Sequence, residues 1–118
     1  GAAEIGGFVT DNDSTEEFQE LMIRWYQYGV FTPVFRTHGK RPSNNNEPWN
    51  LGGDTYKHIR QCLLLREALR PYIMEQMKLA SSRGIPPMRP LFFDFPNQQR
   101  LYDTLGLVYL SLDLLQKE

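Results

Sequence analysis

Residues 4–29 read EIGGFVTDNDSTEEFQELMIRWYQYG: an apolar stretch ending in paired glycines, then a sharply periodic segment. Residues 4–9 suit a short strand. Gly6 and Gly7 let backbone approach a ligand closely or take up a tight bend, and local chemistry alone favours a plain strand and turn. Ser14 with Glu17 three residues on forms a capping-box pattern. Phe18, Leu21, Met22 and Trp25 then recur at i, i+3, i+4 and i+7, one apolar face of an amphipathic helix. With Gly29 as its stop, the spacing predicts a helix over 15–28. Its aromatic stripe reads most simply as core.

In VFTPVFRTH, at 30–38, Pro33 permits at most a short helical turn. Residues 37–53 show no periodic pattern, and a loop of that length is functional or disordered. Trp49 after Pro48 favours an ordered, ligand-facing loop. A second helix is expected from Asp54 or Thr55 as cap, with Ile59, Cys62, Leu63, Leu65, Leu69 and Ile73 as its buried face. Pro71 should kink or split it, and Gly84 should end it. His58 in its first turns reads as a surface or packing histidine. Residues 91–95 (LFFDF) look like a buried strand between prolines, with Asp94 near its end facing solvent or a site. In QQRLYDTLGLVYLSLDLLQKE, at 98–118, periodicity alone does not separate helix from strand. Helix is the expectation taken for the tail, 97–118. Strand, helix, loop, kinked helix and strand in that order define an α/β chain of βαβ units with a parallel sheet. In such folds ligands sit at the carboxyl ends of the strands.

The bulk composition narrows the classes. The 118 residues are 41% hydrophobic and 13% aromatic, enough for one core and too rich for a disordered chain. Thirteen Lys and Arg against 14 Asp and Glu give a net charge of −1, which argues against a nucleic-acid partner. No apolar run reaches transmembrane length, and GAAEIGGF has neither the basic region nor the apolar core of a signal peptide. Cys62, the single cysteine, excludes an internal disulfide and a cysteine-based zinc site, and leaves the redox compartment open. No metal site and no cofactor are expected. FRTHGKRPSNNNEPW, at 35–49, places a guanidinium and an imidazole two residues apart in a loop of turn formers, more than a mere connector needs.

EIGGF, RWYQYGVFTPVFRTHG, EPW, REALRPYI and RGIPPMRPLFFDFP, in this order over residues 4–96, together resemble glycoside hydrolase family 31, which includes α-glucosidases, α-xylosidases and transglycosidases. The resemblance implies the last two β/α units of a (β/α)8 barrel over residues 1–96. EIGGF would end the seventh strand and PLFFDF would form the eighth, with an apolar tail outside the family pattern at 97–118. It implies that Arg36 and His38, matching the family's R-x-H motif, hold hydroxyls of the terminal non-reducing sugar, and that Phe8 lines the pocket. Glu4 stands where the family's D-I-G-G-F has Asp. One methylene longer, its carboxylate has to retract or shift the sugar, and a displacement of roughly 1 Å can cost about two orders of magnitude in rate.

These enzymes retain configuration with two carboxylates flanking the scissile bond. Nothing here resembles the W-x-D-x-N-E motif of the nucleophile or the G-D-N of the acid, and no motif places Glu47, Asp94 or Asp11 across a sugar. The expectation is a segment of an exo-acting retaining α-glycosidase that supplies sugar-binding residues and no catalytic carboxylate. Its partners would be an α-linked oligosaccharide or α-glycoside, and either the remainder of the barrel or copies of itself. The alternative is a non-catalytic, self-associating or sugar-binding fragment. Tyr109 and the DLL at 113–115 keep a trace of the family's continuation.

Overall fold

In the computed structural model the described residues are 2–10, 12, 14–42, 46–99 and 108–110. They form β1 (Ala2–Ile5), α1 (Glu16–Gly29), β2 (Val34–Thr37), a 3-10 turn (Pro48–Leu51), α2 (Gly53–Ala68), α3 (Arg70–Arg83), β3 (Met88–Pro90), a second 3-10 turn (Leu91–Phe93) and β4 (Val108–Leu110). The chain divides into two units, Gly1–Pro71 and Tyr72–Glu118.

The first unit is built on a parallel pair. Ala2, Ala3, Glu4 and Ile5 register with Val34, Phe35, Arg36 and Thr37. Parallel neighbours cannot be joined by a hairpin, so the chain returns through α1. The second strand of this pair is VFRT, where the sequence suggested only a turn and a loop. Pro33 ends the preceding turn, and the β-branched and aromatic residues after it favour extended backbone.

Helix α1 begins one residue later than the capping box implied. Ser14 donates to the Asn12 side-chain oxygen (2.8 Å), and the Thr15 hydroxyl caps instead, accepting from the Phe18 amide at 3.2 Å. Phe18, Met22 and Tyr26 are buried, whereas Leu21 is 46% exposed. At about 100° per residue, Leu21 lies roughly 100° from the centre of the face that Phe18, Met22, Tyr26 and Gly29 define. Ile5, Phe18, Met22, Tyr26, Leu51 and Ile59 form the core, with Trp25, Phe35, Cys62 and Leu63 half-buried around it. Ile5 and Phe35 thus face the helices, and Glu4 and Arg36 the opposite side.

Helix α2 starts at Gly53 behind Gly52 (φ 94°), earlier than the Asp54 or Thr55 cap expected. The Thr55 hydroxyl donates to Gln19 Oε1 on α1 (3.1 Å) and so joins the two helices instead. Leu65, expected in the buried face, is 47% exposed. Its neighbour Arg66 turns inward, donating to Val30 O (2.6 Å), Thr32 O (2.5 Å) and Pro33 O (3.2 Å) with its guanidinium 5.3 Å from the Phe35 ring centre. Burial lowers the pKa of Arg66. The split at Pro71 is as expected: α2 ends at Ala68 and α3 starts at Arg70. Proline has no amide to continue the ladder.

In the second unit α3 buries Tyr72, Ile73 and Gln76, and Gly84 (φ 70°) follows its last residue. β3 pairs antiparallel with β4, Met88 with Leu110 and Pro90 with Val108. Residues 91–95 are not the strand expected of them. The Asp94 and Phe95 amides both donate to Leu91 O (3.1 and 3.0 Å), curling the segment. Arg89 Nε and Nη2 grip the Asp94 carboxylate at 2.9 and 3.0 Å. In an extended strand these two residues would stand roughly 16 Å apart. In the tail expected to be helical, Val108–Leu110 form a strand, in keeping with the β-propensity of Val and Tyr. The DLL at 113–115 lies outside the described residues.

Burial pushes the Tyr26 phenol up to about 12 from 10.0, against the opposing hydrogen bond with Thr37 and charge of Arg41. The folded chain holds this proton longer than the unfolded one. The associated stability is therefore complete below pH 10 and is lost as pH rises towards about 12. Chemical denaturation across that interval should show a steeper fall for the parent chain than for Tyr26→Phe. Parallel curves would exclude this role for Tyr26.

Candidate functional site

The site lies where the two parallel strands end. After Ile5 the chain turns sharply, the Gly7 amide donating to Glu4 O at 3.0 Å. Gly6 and Gly7 adopt φ 86° and 73°, a region that side chains with a Cβ rarely enter. A Cβ on Gly6 would also collide with Met22 Sδ. Beyond the turn the strands resume contact: the Lys40 amide donates to Phe8 O at 2.8 Å, and Val9 bridges Lys40 in parallel. Between the Ile5–Thr37 and Val9–Lys40 pairs the first strand advances four residues and the second three. The glycine turn absorbs the extra residue, as a bulge does.

Arg36 and His38 are two residues apart on an extended chain, so they share a face, while Thr37 between them faces the other way. Each has a partner from the first strand. Arg36 Nη2 lies 2.9 Å from Glu4 Oε1, both side chains about half exposed. The His38 and Phe8 rings stand 5.4 Å apart, tilted by 57°. All four residues singled out in the sequence therefore meet here, as two cross-strand pairs. The Glu4 side chain, one methylene longer than Asp, reaches the neighbouring guanidinium and keeps its carboxylate partly exposed. Together they offer a carboxylate acceptor, a guanidinium donor, an imidazole able to do both and an exposed aromatic face. That is the mixture a ring of hydroxyls and C–H groups requires.

Sequence reasoning missed what holds this arrangement. Arg41, which a loop of Lys, Arg and Asn would leave in solvent, is 5% exposed. It donates to Ile5 O (3.3 Å), Gly7 O (3.2 Å) and Asn46 Oδ1. Asn46 in turn donates to Gly39 O at 3.0 Å. Periodicity carries no signal for such a contact. Trp49 sits on the 3-10 turn, 64% exposed, while Leu51 anchors that turn in the core. His58 is exposed on α2, as expected. Asp94 pairs with Arg89 in the second unit, and Asp11 lies outside the described residues. Among the described residues no group of three His, Cys, Asp or Glu could hold a metal ion.

Residues 2–76 match the model of the glycosyl hydrolases family 31 TIM-barrel domain. The chain belongs to glycoside hydrolase family 31, and its parallel βαβ unit is a piece of that barrel. It is 36% identical over 116 residues to the sulfoquinovosidase of Escherichia coli K12, covering 96% of this chain and 16% of that protein. Human neutral α-glucosidase C is 35% identical over 113 residues, covering 96% of this chain and 12% of that protein. The crystal structure of an α-xylosidase from a soil metagenome, complexed with xylose, superposes with a TM-score of 0.86 at 41% identity. It covers 92% of this chain and 19% of the xylosidase. The chain thus spans less than a fifth of the length of each of these relatives.

A Cβ on Gly39 would stand 2.5 Å from the Phe8 carbonyl oxygen, a backbone atom that cannot swing aside. At Gly53 there is open space. Gly39→Ala should destabilise the fold by about 1–3 kcal/mol, and Gly53→Ala should leave it unchanged or slightly stabilised. Urea titration of the two variants checks this, and equal midpoints would contradict the close approach at Gly39.

Proposed function

We propose that this chain is part of an exo-acting retaining α-glycosidase, and that Arg36, His38, Phe8 and Glu4 hold the terminal α-glucosyl or α-xylosyl residue. On this reading residues 1–96 make up the last two β/α units of the barrel, with β1 as its seventh strand and β2, in place of the PLFFDF segment expected from the sequence, as its eighth, and the apolar tail follows. One observation carries the proposal. The Glu4–Arg36 and Phe8–His38 pairs lie together at the carboxyl ends of parallel strands, where TIM barrels build their sites, and this supports reading them as sugar-facing. The α-xylosidase complexed with xylose and the α-glucosidase among the relatives support the choice of sugar class.

The chemistry follows from what these side chains can do. A retaining glycosidase needs a nucleophile and an acid/base on opposite sides of the bond, and both are proposed to come from other strands. The groups here orient the sugar. A guanidinium alone would oppose the positive charge that develops at the anomeric carbon. With the Glu4 carboxylate 2.9 Å from Arg36, the pair is close to neutral and still donates hydrogen bonds. His38, tilted against Phe8, presents a ring nitrogen to a hydroxyl while the Phe8 ring covers an apolar sugar face.

A second reading, a non-catalytic and self-associating fragment, draws on exposed surface. Val34, on the same side of β2 as Arg36, is 47% exposed, and β1 and β2 pair only with each other among the described residues. Open strand edges recruit other chains. Under the first reading these surfaces meet neighbouring barrel strands, and under the second they meet another copy.

In the intact enzyme carrying this segment, His38→Ala should lose about 1.5–3 kcal/mol of transition-state stabilisation, roughly ten- to hundred-fold in kcat/KM. His58→Ala should change little. Equal losses for the two variants would refute the assignment. Purified 1–118 by itself should not hydrolyse aryl α-glucosides or α-xylosides above a buffer control. Turnover that survives repurification and is abolished by a substitution in this chain would overturn the view that the catalytic carboxylates lie elsewhere.

A further inference from the structure

Arg41 is a cation buried to 5% exposure beside the glycine turn, in contact with backbone carbonyl oxygens and an aromatic ring. Nη2 reaches Ile5 O and Gly7 O on either side of the glycine turn, at 3.3 and 3.2 Å. Nη1 donates to Asn46 Oδ1, and the guanidinium carbon lies 5.5 Å from the Phe18 ring centre. Asn46 then passes the connection to Gly39 O at 3.0 Å. One planar group therefore spans the turn that carries Glu4 and Phe8 and, through one amide, the backbone beside His38.

We propose that Arg41 is the positioning residue of the sugar subsite, fixing Phe8 against His38 by clamping the two strand ends together. The proposal rests on the reading of Phe8 and His38 as sugar-facing. The geometry requires a fork: Nη2 holds the glycine turn and Nη1 holds Asn46, which reaches the second segment at Gly39, while the guanidinium carbon lies over Phe18, and the point charge of a lysine cannot do all three. Gly6 fits the same picture, since a Cβ there would stand 2.7 Å from Arg41 Nη2. The turn is left without a side chain where the clamp passes. Arg41 touches no sugar in this scheme. It sets the distance between two groups that do.

Residue-resolved amide hydrogen exchange on the full 118-residue chain tests the clamp without any sugar. In Arg41→Lys, which keeps the charge, the Gly7 and Lys40 amides should exchange on the order of ten-fold faster or more, while those of Met22 and Ile59 hold. Unchanged exchange at both sites, or acceleration spread evenly through α1 and α2, would overturn the proposal. Asn46→Ala removes one arm at a half-exposed position and covers the case in which Arg41→Lys does not fold. It should accelerate Lys40 and spare Gly7, and an unaltered Lys40 would count against the clamp. In the intact enzyme, Arg41→Lys should lower kcat/KM for an aryl α-glycoside at least about five-fold, well below the variant's Tm. Unchanged kcat/KM there would overturn the positioning role. A clamp that fails in exchange leaves the sugar reading to the His38 comparison, and an inert His38→Ala leaves the exchange result standing.

Discussion

Where α1 ends, helix backbone presses directly on the sheet. A Cβ on Gly29 would stand 2.9 Å from Ile5 Cδ1 and 3.0 Å from the Phe35 ring, so neither strand leaves room for a side chain there. This seat commits Ile5 and Phe35 to the helix side of the pair. Alternation along the strand then commits Glu4 and Arg36 to the other side, and returns Thr37 to Tyr26. A slip of one residue would exchange the two sets. The availability of Arg36 and His38 to a ligand is thus decided on the opposite face, by how closely a helix without a side chain can approach.

The arginines show how differently one residue type is used. Arg66 and Arg41 both turn inward and bind backbone carbonyls, one at the α1–β2 connection and the other at the glycine turn. Each also lies over an aromatic ring, Phe35 and Phe18 respectively. Such carbonyl contacts replace lost water with several partial charges, and the weak hydration of guanidinium suits them. Arg89 takes the other route, with a carboxylate held bidentately in a mostly buried pair. Arg36 alone of these four stays half exposed at the strand end. The first three hold local connections in place, each within its own unit, and the fourth stays open to solvent beside Glu4.

Much of this was legible beforehand, and the failures have a common cause. The i, i+2 spacing of Arg36 and His38 was visible because it is local, whereas the extended backbone that turns this spacing into a shared face was not. Pro71 reported a break because a missing amide acts locally. Phe18, Met22 and Gly29 announced α1 for the same reason. The strand Val34–Thr37 was missed because four residues after a proline carry too little periodicity. PLFFDF looked like a strand because its apolar run was visible, whereas the Arg89–Asp94 grip that bends it depends on two residues meeting in space. Arg41 was invisible on the same principle. A cation in an Asn-rich loop looks solvated until the carbonyls of another segment come to meet it.

The four-against-three spacing at the glycine turn has a consequence for how such a site can diverge. Past that point the two chains travel side by side, tied by Lys40 to Phe8 and by Val9 to Lys40. Losing or gaining one residue in the turn would slide Phe8 along His38 by roughly 3.3 Å, a full step of extended chain. Ring contact at 5.4 Å does not survive such a step. The turn behaves as a fixed gauge block between two rails: exchanging side chains on the rails leaves their spacing intact, whereas changing the length of the block does not.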